Sequence, residues 1–134
     1  SWGVPRDGAG GGAGGDLVVS IPTVRSDPIK GTTSYQLHVR VGDHFSLTPR
    51  RRFRDFVELD RQLSTRPAYK DCLLDLPPKR AFGSHAPEVV EGRRQMLEAY
   101  LNHAIRSVGV TRSQDLREFL GMDSQLFIFF LQNR

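Results

Sequence analysis

The stretch "SYQLHVRVGDHFSLTPRRRFRDF", residues 34–56, decides the fold because its periodicity changes partway along. Apolar and polar side chains alternate over residues 35–41, which is the pattern of a half-buried strand. The Gly-Asp pair at 42–43 predicts a two-residue hairpin turn, and the alternation resumes over 45–47. From residue 53 the apolar positions recur every three or four residues, which predicts a helix.

The flanking sequence extends both patterns. Residues 17–21 predict a first strand, which Pro22 ends or places at a sheet edge. The first helix is expected to run to about Thr65. Residues 66–88 then contain four prolines and cannot form one regular element.

The C-terminal half predicts mainly helices. One begins near Pro87, and a shorter one is capped by Thr111 or Ser113 and stopped by Gly121. The apolar run 126–131 adds a further helical turn or two. The expected fold class is α+β, with a three-stranded antiparallel sheet packed against a helical subdomain of three to four helices.

Composition divides the chain of 134 residues into three parts. Residues 1–15 are Gly-rich and are expected to be disordered. Residues 16–122 form one folded domain, and 123–134 form an apolar C-terminal extension.

Charge and cysteine content restrict the function. Sixteen of the nineteen basic residues are Arg, whose planar fork suits phosphate groups better than Lys does. The single cysteine, Cys72, rules out an internal disulfide and suits a reducing compartment. The sequence has no apolar run of about 18 residues that would span a bilayer, and its N-terminus lacks the pattern of a secretory signal.

The segment "RRFRDF", residues 51–56, places three arginines where a strand gives way to a helix. A helix N-terminus already carries partial positive charge, so these arginines oppose its dipole unless an anion compensates them. Asp55 supplies one carboxylate, and an external phosphate would supply more negative charge. A solvated basic rim is the alternative interpretation of this segment alone.

The segment "DLPPKRAFGSH", residues 75–85, combines basic and aromatic residues on a proline-stiffened loop. Lys79 and Arg80 suit an anionic membrane surface, where each contributes about 1 kcal/mol. Phe82 would enter the interface and add roughly 2 kcal/mol, or alternatively would fold back onto the core. Together these contributions are too small to hold a protein on a membrane without a specific headgroup contact.

In the helix that follows, Arg93 lies three and four residues before Met96 and Leu97 and therefore falls on the inward stripe. A charge on that stripe needs a partner or a ligand. Arg94 is about 100° around the helix and is expected to face solvent.

These features, in this order, resemble the phox-homology (PX) domain, the phosphoinositide-binding module of sorting nexins. The resemblance covers about residues 16–122. Its motifs are 51–56 after the third strand, 76–79 before the membrane loop, and Arg93 ahead of 97–101.

The resemblance implies a pocket for phosphatidylinositol 3-phosphate. Arg52 would hold the 3-phosphate, and Phe53 would pack under the inositol ring. Lys79 would contact the 1-phosphate, and Arg93 would bind the 4- and 5-hydroxyls. Arg51 is expected to be solvated or to act only as general charge.

Supporting roles follow from the same resemblance. Arg54 and Arg80 would lie at the rim of the pocket, and Phe82 would insert into the membrane. The implied setting is peripheral attachment to early endosome membranes from the cytoplasm, in the trafficking of membrane cargo.

A protein–protein interaction domain with weak or broad phosphoinositide binding is the alternative, and protein partners are possible in either case. Nucleic acid is not expected as a partner, because the charge is localised and the net charge is only +4. The four histidines have no ligand spacing, so we expect no catalytic residue, metal site or cofactor.

Overall fold

The computed structural model describes residues 17–43, 45–79 and 86–133. Within them lie four strands: β1 (Leu17–Asp27), β2 (Thr32–Val41), β3 (Phe45–Leu47) and β4 (Arg50–Arg52). The helices there are α1 (Phe53–Leu63), α2 (Pro67–Lys70), α3 (Pro87–Ser107), α4 (Gln114–Leu120) and α5 (Ser124–Gln132). The strands precede the helices, as the sequence predicts for an α+β domain.

Strand β2 is the centre of the sheet. It pairs antiparallel with β1 on one side and with both β3 and β4 on the other. Between β3 and β4, the Leu37 N–H donates to the Pro49 carbonyl at 2.9 Å, so contact with β2 continues across the break. The sheet is therefore three strands wide, and the predicted fold class is confirmed.

The hairpin between β2 and β3 differs from the prediction in length. Val41 pairs with Phe45, which leaves residues 42–44 in the connection, one more than predicted. Gly42 has a φ of 58°, a conformation that a glycine adopts without steric cost. The two-residue turn was therefore wrong, although the glycine does begin the turn.

The core lies between one face of the sheet and the helices. Its fully buried side chains include Ile21, Leu37, Phe56, Leu59, Tyr100, Leu101 and Leu116. The Phe56 ring packs edge-on against Tyr35 from β2 and Phe119 from α4, with ring centroids 6.0 and 4.9 Å away. Helix α1 thus connects the sheet to α4 through its buried face.

Side chains of α3 cover part of the outer edge of β1. Asn102 accepts from the Val19 N–H at 3.0 Å and donates to the Val19 carbonyl at 2.8 Å. Two residues further along the strand, Glu98 accepts from the Ile21 N–H at 2.8 Å, and Arg94 donates to the Ile21 carbonyl at 3.2 Å. These side chains satisfy backbone groups that an edge strand would otherwise leave unpaired.

Arg94 therefore does not simply face solvent, and that expectation was wrong. It donates to both Glu91 and Glu98, and its side chain is only 21% exposed. The hydrogen bonds from Arg94 and Gln95 lower the pKa of Glu91 to about 2. Sequence spacing alone could not show that the edge of β1 lies within hydrogen-bonding distance of Arg94.

Helix α4 begins at one of the two predicted caps and ends at the predicted glycine, and α5 lies where the sequence predicts a further helical turn or two. Ser113 Oγ accepts from the Leu116 N–H at 3.0 Å at the start of α4, and Gly121 ends the helix with a φ of 85°. In α5, Asp123 caps the first turn and Phe130 is buried. Among the described residues, we find no helix with both the length and the hydropathy needed to cross a membrane.

Asn102→Ala should lower the free energy of unfolding by about 1–3 kcal/mol, because it leaves two backbone groups of β1 without partners. Urea denaturation measures the change. Gln95→Ala is the control on the same helix, because Gln95 bonds only to an exposed carboxylate in the described structure. Equal losses in the two variants would contradict the role of Asn102.

Tyr100→Phe should reduce the loss of stability at alkaline pH. Burial, aided by the hydrogen bond to Asp60, raises the pKa of Tyr100 above its usual 10.0. Above that pH the unfolded chain ionises this tyrosine while the folded chain does not, so the free energy of unfolding falls as pH rises. Urea titrations between about pH 8 and pH 11 should show a shallower fall in the variant, and an identical pH dependence would contradict the assignment.

Candidate functional site at the junction of β4 and α1

The junction of β4 and α1 concentrates positive charge. Strand β4 ends at Arg52, which is also the residue that precedes the first turn of α1. Asp55 accepts from the Arg52 N–H at 2.7 Å. A guanidinium has donors only, so Arg52 cannot cap the first amides of the helix in return. The helix N-terminus thus remains suited to an anion.

The Arg52 side chain is half-buried, and it has no hydrogen-bond or ion-pair partner among the described residues. Arg54 is exposed and likewise has no such partner within them. The charge of these two guanidinium groups is therefore not neutralised by neighbouring carboxylates in the described structure. A phosphate would supply the missing charge.

Arg93 of α3 lies against the first residue of α1. Its Cζ atom is 5.4 Å from the centroid of the Phe53 ring, within the range of a cation–π contact. Its Nη2 atom also donates to the carbonyls of Pro78 and Lys79, each at 3.2 Å. Arg93 thus joins the aromatic ring to the proline loop.

The structure accordingly brings the four predicted headgroup residues to one region. Phe53 follows Arg52 in the chain, and Arg93 contacts both the Phe53 ring and the backbone at Lys79. Arg93 is half-buried and contacts that ring, whereas of the two residues predicted to share its stripe Leu97 is buried and Met96 is 42% exposed. Their roles toward a ligand remain predictions.

One donor in this region is unmatched. The Nε atom of Arg93 is buried and has no hydrogen-bond partner in the described structure. A buried donor without an acceptor costs about 1–3 kcal/mol. A ligand oxygen that reached this atom would remove that cost.

Tyr35 is a neighbour of this region that the sequence pattern assigned only to the core. It is buried on β2, and burial raises the pKa of Tyr35, while the charge of Arg93 opposes that shift. Strand alternation predicts burial but gives no sign of which charge lies nearby. Proximity to Arg93 arises from packing across 58 positions of sequence.

The loop that carries Lys79 is anchored on its N-terminal side. Leu76 packs against the core and Pro77 is buried, whereas Pro78 and Lys79 are exposed. Arg80 and Phe82, which we predicted for the rim and for membrane insertion, lie outside the described residues. Their roles stay predictions.

Arg51 does not behave as a solvated charge, and that expectation was wrong. Its Nε atom donates to the Phe119 carbonyl at 2.8 Å, and its Nη2 atom donates to the Glu118 carbonyl at 3.3 Å. Burial lowers the pKa of Arg51, and the charge of Asp55 opposes that shift. The partners of Arg51 come from a helix more than sixty positions away, so no local signal could have identified them.

A separate cavity of about 260 Å³ lies between α1 and α4. Its lining includes four carboxylate side chains, those of Asp55, Glu58, Asp115 and Glu118. None of the predicted headgroup residues lines it. Arg51 lines it as well, but the four carboxylates outnumber this one guanidinium, and the net negative charge disfavours a phosphate. Within the described ranges, no group of three or more His, Cys, Asp or Glu side chains could hold a metal ion.

Comparison with known proteins gives a family and several relatives. The model of the PX domain family matches residues 39–123. Sorting nexin-1 of Bos taurus is 29% identical over 102 residues, covering 68% of this chain and 19% of that protein. Sorting nexin-19 of Homo sapiens is 26% identical over 91 residues, covering 63% of this chain and 9% of that protein.

A solved structure supports the same fold. The X-ray structure of a designed CISK-PX domain superimposes with a TM-score of 0.66 at 28% identity, covering 76% of this chain and 96% of that one. The chain spans less than a fifth of either sorting nexin.

Asp55→Ala should lower the free energy of unfolding by about 1 kcal/mol, because the Arg52 N–H loses its acceptor at the start of α1. Thermal and urea unfolding measure the loss. Glu58→Ala removes a carboxylate of the same helix that, among the described residues, bonds only to Arg61, and it should cost less. A larger loss from Glu58→Ala would contradict the capping role of Asp55.

Proposed function

The chain belongs to the PX domain family, and on that premise we propose that it binds phosphatidylinositol 3-phosphate in membranes. PX domains are generally phosphoinositide-binding modules, and sorting nexins are generally binding proteins rather than enzymes. One observation carries the finer proposal. Arg93 lies over Phe53 and bonds to the backbone of Lys79, while the adjacent Arg52 has no partner in the described structure.

Each of the four residues has a distinct proposed role. Arg52, together with the N-terminus of α1, holds the 3-phosphate. Phe53 packs its ring against the inositol, and Lys79 contacts the 1-phosphate that leads to the lipid tails. Arg93 donates to the 4- and 5-hydroxyls, which disfavours lipids that carry phosphates there. The unmatched Nε donor of Arg93 supports this last assignment.

Membrane attachment has further proposed contributions around this site. Arg54 lies exposed on the first turn of α1 and adds positive charge at the rim. Arg80 and Phe82 belong to the loop that continues from Lys79, and we assign them to headgroup charge and to insertion, respectively. The proposed setting is the early endosome membrane, to which the protein binds peripherally during the trafficking of cargo.

Protein–protein interaction is the second candidate function, and exposed apolar side chains favour it. Ile128 and Leu131 on α5 are 54% and 43% exposed, and Phe45 at the β2–β3 hairpin is 41% exposed. These residues do not contribute to the basic region. A partner bound there would accompany weak or broad phosphoinositide binding.

Arg52→Ala should weaken binding to liposomes containing phosphatidylinositol 3-phosphate by at least about tenfold, because it removes charge-assisted hydrogen bonds. Co-sedimentation at fixed salt measures the change, and circular dichroism checks the fold. Arg106→Ala is the matched control, because Arg106 is an exposed arginine in the last turn of α3 and the substitution removes the same charge.

Wild-type binding by Arg52→Ala would contradict the proposal. A panel of liposomes with each singly and multiply phosphorylated inositide tests the preference for the 3-phosphate. Tighter binding to lipids with 4- or 5-phosphates would contradict the role of Arg93.

A further inference from the structure

We propose that Arg51 is a positioning residue for the headgroup site: it fastens the junction of β4 and α1 to the end of α4 and so fixes the direction of Arg52. This inference rests on the proposed function, because it concerns how the same site is held. Arg51 does not contact the lipid in this proposal. It acts through the neighbouring residue.

Each nitrogen of the Arg51 guanidinium makes one hydrogen bond to a backbone carbonyl. Its three nitrogen atoms donate to the carbonyls of Phe119 at 2.8 Å, Glu118 at 3.3 Å and Arg50 at 2.9 Å. Its Cζ atom also lies 5.4 Å from the centroid of the Phe119 ring. Three of its five N–H donors are thus used within the protein, and these bonds fix the orientation of the guanidinium toward α4.

Two of the acceptors belong to the last turn of α4. The carbonyls at the C-terminal end of a helix carry partial negative charge, so a cation there is favourable. Arg51 supplies this cation from β4. The contact therefore stabilises α4 and at the same time fixes the position of β4.

The backbone on the other side of the junction is held as well. Arg51 pairs with Tyr35 and Arg52 pairs with Ser34 across β2 and β4. The Arg52 N–H donates to Asp55 at 2.7 Å. The backbone of Arg52 is thus restrained while its guanidinium remains unpaired within the described residues.

Such restraint contributes to affinity without a new contact. A side chain that already points in the bound direction loses less conformational freedom when a ligand arrives. If Arg51 released α4, Arg52 would sample more directions and bind the phosphate more weakly. The loss of phosphate affinity would come from the less restricted orientation of the Arg52 side chain and would not depend on the net charge of the protein.

Lysine cannot replace Arg51 in this arrangement. A lysine keeps the positive charge but has a single nitrogen and no planar fork, so it cannot hold the same set of carbonyls. Arg51→Lys therefore separates positioning from charge. Arg50→Gln is the matched control, because Arg50 is the adjacent arginine and is exposed. Its side chain makes one long hydrogen bond in the described structure, to Gln36 at 3.3 Å.

The first experiment titrates inositol 1,3-bisphosphate, the soluble headgroup, into wild-type protein, Arg51→Lys, Arg51→Gln and Arg50→Gln. All titrations are run well below the midpoint of thermal unfolding. We expect Arg51→Lys and Arg51→Gln to weaken binding by about fivefold or more, and Arg50→Gln by less than about twofold. The effect at Arg51 should persist at high salt, whereas an effect at Arg50 should be screened. Wild-type affinity in Arg51→Lys would overturn the proposal.

The second experiment needs no ligand. Hydrogen exchange of the Arg52 and Phe53 amides should be faster in Arg51→Lys than in wild-type protein and unchanged in Arg50→Gln. Equal exchange in Arg51→Lys and wild-type protein would overturn the positioning role. If Arg51→Gln does not fold, Arg51→Lys carries both measurements. If wild-type protein does not bind the headgroup, the proposed function fails while the exchange result still tests Arg51.

Discussion

The pairing of β4 with β2 places the charged junction, and the arrangement of the site depends on it. In this register Ser34 faces Arg52 and Tyr35 faces Arg51. Successive side chains of a strand point to opposite faces, so a slip of one residue would move each of the two arginines to the opposite face of the sheet. The arginine that fastens α4 and the arginine without a partner in the described structure differ by a single step along β4.

The site balances like charges by giving each arginine a different environment. The Arg51 guanidinium donates to carbonyls of α4 and contacts the Phe119 ring. The Arg93 guanidinium donates to carbonyls of the proline loop and contacts the Phe53 ring. The side chains of Arg52 and Arg54 have no ion-pair partner among the described residues. Of the carboxylates that line the neighbouring cavity, Asp55 bonds to the Arg52 N–H, and the others lie between α1 and α4. Negative charge on that side and positive charge at the junction give the region a definite polarity.

The fold could be predicted largely from local patterns. Alternation identified β2, the spacing of Phe56 and Leu59 identified α1, and Gly121 marked the end of α4. The grouping of the predicted site residues could also be anticipated. Arg93 was placed on the inward stripe of its helix, where a charge requires a partner, and it contacts the Phe53 ring and the Lys79 carbonyl. The separate roles of Arg51 and Arg94 could not be predicted, because their partners come from distant elements. Hairpin length was also missed, because two-residue and three-residue connections share the same glycine signal.

The two bonds from Arg93 to the loop carbonyls couple two properties that are usually treated as separate. In the proposed site, Arg93 reads the hydroxyls of the headgroup, and the same guanidinium holds the backbone from which the membrane loop departs. A substitution that widened the accepted set of lipids would also release that backbone. Headgroup preference and the time spent on a membrane would therefore change together in the evolution of this chain.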